Sequence, residues 1–88
     1  MTHRDSLLEF PCAFPLKAIG AGPDDFEALV LDIVRRHVAD LDAGASTVRP
    51  SGGGKYLAVT VTFQAQSWAQ IDALYGELKD HARVVMLL

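Results

Sequence analysis

Between Tyr56 and Phe63 the chain alternates, with Leu57, Val59, Val61 and Phe63 on one side and Tyr56, Ala58, Thr60 and Thr62 on the other. A period of two is the signature of a half-buried strand. Three consecutive glycines, Gly52 to Gly54, sit just ahead of it between Ser51 and Lys55. Glycine reaches the positive φ values that a tight reversal needs, so the whole run from Thr47 to Phe63 predicts a hairpin.

Two other stretches carry a helical period. Phe26, Leu29, Val30, Ile33, Val34 and Val38 fall on one helix face, and Trp68, Ile71, Leu74, Tyr75 and Leu78 trace another. Asp24, Asp25 and Glu27 crowd the first helix start, where negative charge complements the backbone dipole, and Asp24 with Glu27 has capping-box spacing; so has Ser67 with Gln70 ahead of the second. Arg35, Arg36 and His37 close the first helix, and Lys79 and His81 the second.

The remaining apolar runs read as strands. Pro11 and Pro15 bracket Cys12 to Phe14, and proline donates no ladder hydrogen bond, so the first strand is expected to be regular only from Leu16 to Gly20. Phe14, Leu16 and Ala18 would face the core, and Lys17 and Ile19 the opposite side. Ser46 to Arg49 predicts a short strand stopping at Pro50, hence at a sheet margin, and Arg83 to Leu88 a last one.

The order is strand, helix, strand, strand, helix, strand. Right-handed crossovers turn that order into an α+β, ferredoxin-like βαββαβ unit: a four-stranded antiparallel sheet of order 4-1-3-2 with both helices on one face. Residues 1–11 read as an N-terminal arm and 12–88 as one domain. The face without helices would present Lys17, Ile19, Tyr56, Ala58, Thr60, Thr62 and alternate residues of the last strand. From it we take Tyr56, Thr60, Thr62 and Val85 as an expected interaction surface, for a protein partner or a second copy.

Composition narrows the function. The chain has 88 residues, 50% of them hydrophobic, which supports one packed core. The formal net charge is −3 and the eight Lys and Arg are scattered, against a dedicated nucleic-acid binder. Cys12 is the one cysteine, so no internal disulfide forms and a reducing setting is expected. No apolar run approaches a membrane span and Met1 to Phe10 lacks a signal-peptide pattern, so the expected location is cytoplasmic, without membrane contact.

The run Leu7, Leu8, Glu9, Phe10, Pro11, with Phe14, Lys17 and Gly20, resembles the start of the YbeD-like proteins, small bacterial proteins of uncharacterised function. The later pattern of Val48, Pro50, Ser51, Gly54, Tyr56, Val59, Val61, Leu74, Tyr75, Leu78, Val85, Met86 and Leu87 is similar as well. The resemblance covers almost the whole chain. It implies a ferredoxin-like fold similar to ACT regulatory domains, a cytosolic location and no established enzyme activity. Genes of that family often neighbour lipoate-attachment enzymes, which implies a regulatory link to lipoate metabolism. The three-glycine turn and the alanine-rich composition depart from the family pattern.

Searches for chemistry return structural readings. Ser51 to Lys55 lacks the first glycine of a phosphate loop and the Ser or Thr after its lysine, and a strand rather than a helix follows. The fold's copper-carrier version needs a cysteine pair, and its acylphosphatase version a catalytic asparagine that this chain lacks. An RNA-recognition version needs several stacking aromatics where only Tyr56 is offered. His3, His37 and His81 share no metal spacing. His37 on its apolar stripe reads as a packing residue, Asp24 and Asp25 as helix-start charges, and Trp68 and Tyr75 as core.

The expectation is therefore a non-enzymatic regulatory or interaction module without cofactor or metal. The alternative is a sensor of a small metabolite, bound at the first strand-helix bend through Gly20, Gly22 and Lys17, where helix-start amides are available.

Overall fold

The glycine turn sets the register of the sheet. In the computed structural model, which describes residues 9–21 and 25–88, Gly52–Gly54 form one 3-10 turn with φ of 59°, 69° and 93°. A side chain at any of the three would be strained there. The turn joins β2 (Ser46–Ser51) to β3 (Tyr56–Ala65) and places Ser51 opposite Tyr56, Arg49 opposite Ala58 and Thr47 opposite Thr60.

On its other side β3 pairs antiparallel with β1 (Cys12–Ala21), which in turn pairs with β4 (Val84–Leu87). The strand order is β2-β3-β1-β4, the expected order counted from the other edge. Two helices, α1 (Phe26–His37) and α2 (Trp68–Asp80), make the crossovers and lie on one face. This is the α+β, ferredoxin-like arrangement that the pattern predicted.

The core lies between that face and the helices. Leu16 and Ala18 of β1 and Val59, Val61, Phe63 and Ala65 of β3 meet Phe26, Val30, Ile33 and Val34 of α1 and Ile71, Leu74 and Leu78 of α2. Every one of these is buried, so each removes most of its apolar surface from water. Trp68 and Tyr75 are half-buried at the margin: Phe10 meets Trp68 edge-on at 5.9 Å, and Phe14 meets Tyr75 at 6.3 Å.

Two local expectations are corrected. First, β1 starts at Cys12 and runs straight through Pro15, which sits opposite Thr62. Lys17 exchanges both backbone hydrogen bonds with Leu88, so Lys17 points its amide and carbonyl toward β4. Two residues earlier, Pro15 points the same way, past the end of β4, where no described strand requires an N–H. Second, β2 continues through Pro50 to Ser51, which proline tolerates because β2 is an edge strand.

The first capping box can be followed only at Glu27, because Asp24 is not among the described residues. The residue ahead of α1 is Asp25, which makes no side-chain cap. The Glu27 carboxylate accepts a 2.6 Å hydrogen bond from the Ser46 hydroxyl. At α2 the box is half as drawn. Ser67 Oγ accepts from the Gln70 amide at 3.1 Å, while the Gln70 side chain accepts from the Gln66 amide at 2.7 Å. The expected N-terminal arm falls mostly in residues 1–8, also outside the described residues.

Candidate interaction face

Register assigns the helix-free face row by row. Residues directly opposite share a face, so Met86, Ile19, Ala58 and Arg49 form one row across the sheet, and Leu88, Lys17, Thr60 and Thr47 the next. Ala21, Tyr56 and Ser51 form a third row, and Pro15 and Thr62 a pair on the far side. No described helix or loop packs over these rows, since both helices cover the other face.

The β4 edge of this face is apolar and open. Met86 is 51% exposed and Leu88 59%. Ala58, only 7% exposed yet outside the core cluster, is enclosed by its larger neighbours. Tyr56 stands at the margin next to the glycine turn.

The sheet is also chemically one-sided. The four strands contain Lys17 and Arg49 and not one Asp or Glu. Neither of those cations is held by a carboxylate in the described structure, whereas Arg36 pairs with Asp32 and Glu77, and Arg83 with Asp25. The parity of the last strand departs from a simple alternation. The register slips between Ile19 and Gly20, leaving Val85 as the extra residue of a bulge between Val84 and Met86. Val85 is exposed without a partner in register, and Met86 and Leu88 take the outward positions that plain alternation assigns to their neighbours.

The first strand-helix junction is built differently. Gly20 is buried on the helix side, whereas Lys17 points outward, so these two face opposite sides of the sheet. A Cβ on Gly20 would lie 2.2 Å from the Phe26 ring and 2.6 Å from the Arg83 carbonyl oxygen, which gives the glycine a packing reason. Gly22 lies outside the described residues.

Arg83 closes the junction. Its Nε donates to the Ala21 carbonyl at 3.1 Å and Nη1 to Asp25 Oδ2 at 3.0 Å. Nη2 is 2.9 Å from Asp25 Oδ1, an ion-pair contact outside hydrogen-bond alignment. The guanidinium also stands 5.7 Å from the Phe26 ring centre. Hydrogen bonding from Arg83, followed by its charge, holds the Asp25 carboxyl below the usual carboxylate range.

A second charged cluster ties the helices together. The Glu77 carboxylate accepts from Arg36 and lies 2.8 Å from His37 Nε2. The bond to His37, then the Arg36 charge, lowers the Glu77 pKa. His37 thus packs at the helix interface, and the Gln70 amide donates to its carbonyl at 2.9 Å. Beside it lies a cleft of about 620 Å³, edged by Asp40, Asp42, Gln64 and Gln66. The amide of Gln70 at its wall is already committed to His37 and Gln66. Among the described residues no group of three or more His, Cys, Asp or Glu is placed to hold a metal, and no helix is long and apolar enough to cross a membrane.

Comparison with known proteins now adds to the geometry. The family model described as "Protein of unknown function (DUF493)" matches residues 5–88. The chain belongs to the DUF493 family. Among its relatives, a UPF0250 protein of Nitrosomonas europaea is 45% identical over 84 residues, covering 96% of this chain and 97% of the relative. One from Neisseria gonorrhoeae is 44% identical over 86 residues, covering 98% and 94%. Another, from Ralstonia nicotianae, is 40% identical over 85 residues, covering 97% and 88%. The YbeD-like resemblance is therefore correct: this DUF493 chain is a small bacterial-type protein whose family carries no assigned chemistry. In it, sequence reading found Tyr56, Thr60 and Thr62 on the outer face and missed Arg49, Met86 and Leu88. Counting parity outward from the glycine turn would have found Arg49. The bulge that moves Met86 outward has no mark in the sequence.

Proposed function

We infer that the chain is a non-enzymatic interaction module that docks a protein partner on the helix-free face of its sheet. The observation that supports this is the open apolar β4 edge of that face, Met86 and Leu88 beside Ile19, carried on a sheet whose other side is packed against the helices. Exposed apolar rows of this kind cost solubility and are the usual mark of an interaction site. A regulatory role, acting on whatever is docked, is taken from the resemblance to ACT regulatory domains. The link to lipoate metabolism rests on the family resemblance and names where a partner should be sought.

The sensor alternative is the less supported reading. Its bend carries the Arg83–Asp25 clamp, and its expected residues Lys17 and Gly20 point to opposite faces. The test is affinity capture from bacterial extract with the wild-type chain and with Thr60→Glu and Val85→Glu variants. Loss of the captured protein in the variants, with unchanged thermal unfolding, is expected. Equal capture by all three would overturn the reading.

A further inference from the structure

We propose that the partner docked on the outer face is an acidic protein segment, in which apolar side chains are flanked by carboxylates. This deepens the interaction reading and rests on it. The first argument is charge. All eleven Asp and Glu of the chain lie outside the strands, and Lys17 and Arg49 stand on the outer face without a carboxylate among the described residues to neutralise them. A chain of net charge −3 thus turns outward a surface whose charged strand side chains, among Asp, Glu, Lys and Arg, are the cations Lys17 and Arg49, with an apolar edge along β4. Burying those two cations under a neutral partner would leave them desolvated and unpaired, which is costly. A partner carboxylate at each removes that cost and fixes the orientation.

The same charges argue against a second copy. Two outer faces laid together would bring Lys17 and Arg49 of each copy onto strands that hold no Asp or Glu side chain to receive them. Nucleic acid is disfavoured too. Among the described residues only Tyr56 at the margin offers a stacking ring on this face, and two cations are few for tracking a phosphate backbone.

Spacing gives the segment a pattern. Met86 and Arg49 are three strand intervals apart in one row. At about 4.8 Å per interval that is roughly 14 Å, or about four residues of an extended chain. Lys17 lies in the neighbouring row, between the two. An apolar anchor over Met86 and Ile19, one carboxylate near Lys17 and a second near Arg49 therefore fit within one short extended segment.

The experiment uses the full chain, isotope-labelled, and three synthetic peptides: one in which leucine and glutamate take every second position in turn with serine between them, so that both face the same way when extended, its lysine-for-glutamate counterpart and its serine-for-leucine counterpart. Binding is read by fluorescence anisotropy at low and high salt, and the site by amide chemical-shift changes. The glutamate–leucine peptide should bind, with shifts centred on Ile19, Ala58, Thr60 and Met86. A Lys17→Gln/Arg49→Gln variant should bind it roughly three- to tenfold more weakly, as two exposed ion pairs allow. High salt should weaken the wild-type complex similarly, and the other two peptides should bind less.

Equal binding of the lysine peptide, or indifference to both salt and the double substitution, would overturn the acidic-partner inference while shifts at Ile19 and Thr60 kept the docking face. Shifts centred elsewhere would sink the docking face as well. Failure of every peptide to bind, tighter binding of a uridine oligonucleotide, or concentration-dependent shifts on this face without peptide would each overturn the inference.

Discussion

The two faces of one sheet make the instructive comparison. Alternate residues of the same strands, a few ångströms apart, belong to different problems. On the inner face Leu16, Ala18, Val59, Val61 and Phe63 are buried against two helices, and each contact there is a folding contact. On the outer face Lys17, Ile19, Thr60 and Thr62 answer only to their neighbours and to solvent. The lesson is that strand pattern alone says which residues must be covered, and the choice of residues on the other side records what else the chain must do.

Substitution should expose that asymmetry, most of all at Phe26, whose ring fills the space above Gly20. Phe26→Ala should cost about 3–5 kcal/mol in chemical denaturation, as truncation of a buried aromatic does. A loss below about 1 kcal/mol would mean that the inner face is not the tightly packed side. Gly20→Ala comes next. Its Cβ would meet the Phe26 ring and the Arg83 carbonyl, so destabilisation of about 1–3 kcal/mol is expected from overpacking, measured in the same way. Across the sheet, Thr60→Glu should change stability by less than about 1 kcal/mol, since it adds no buried volume and places a carboxylate opposite Lys17.

The charged clusters should give the smallest effects. Asp25 and Glu77 both have pKa values lowered in the folded chain, by hydrogen bonds from Arg83 and His37 respectively. A depressed carboxylate contributes stability above its unfolded pKa of about 4, and that contribution is lost as pH falls through the lower folded value. The unfolding temperature should therefore drop as pH falls below about 4. Glu77→Gln should flatten part of that drop while leaving Phe26→Ala and Gly20→Ala effects unchanged at neutral pH. An undiminished acid slope in Glu77→Gln would mean that the helix-bridging cluster contributes nothing measurable.

Element type and topology were legible because periodicity is a local signal. The alternation from Tyr56, the stripe from Phe26 and the Ser67 cap each report their own segment. Failures arose where one segment's fate depends on another. Pro15 looked like a strand boundary because the length of β4 was needed to show that its missing N–H points past a strand end. The hydrogen bond from Ser46 to Glu27, nineteen positions apart, likewise has no mark in either local segment. The candidate face divides the same way. Thr60 and Thr62 follow from alternation, whereas Met86 follows from a bulge that only pairing with β1 creates.

The short β4 has one more consequence, and it concerns the chain's behaviour in a crowd. Beyond Leu88 the rim of β1 presents Ala13 and Pro15, with no described strand alongside. An open rim is where one molecule recruits the next into a growing fibre, each copy templating another. At that rim the proline ring stands where a templating donor would otherwise sit, so a strand approaching Pro15 finds no N–H donor there. A residue that looks like a flaw in a central strand thereby withholds one rung from any ladder begun at this rim.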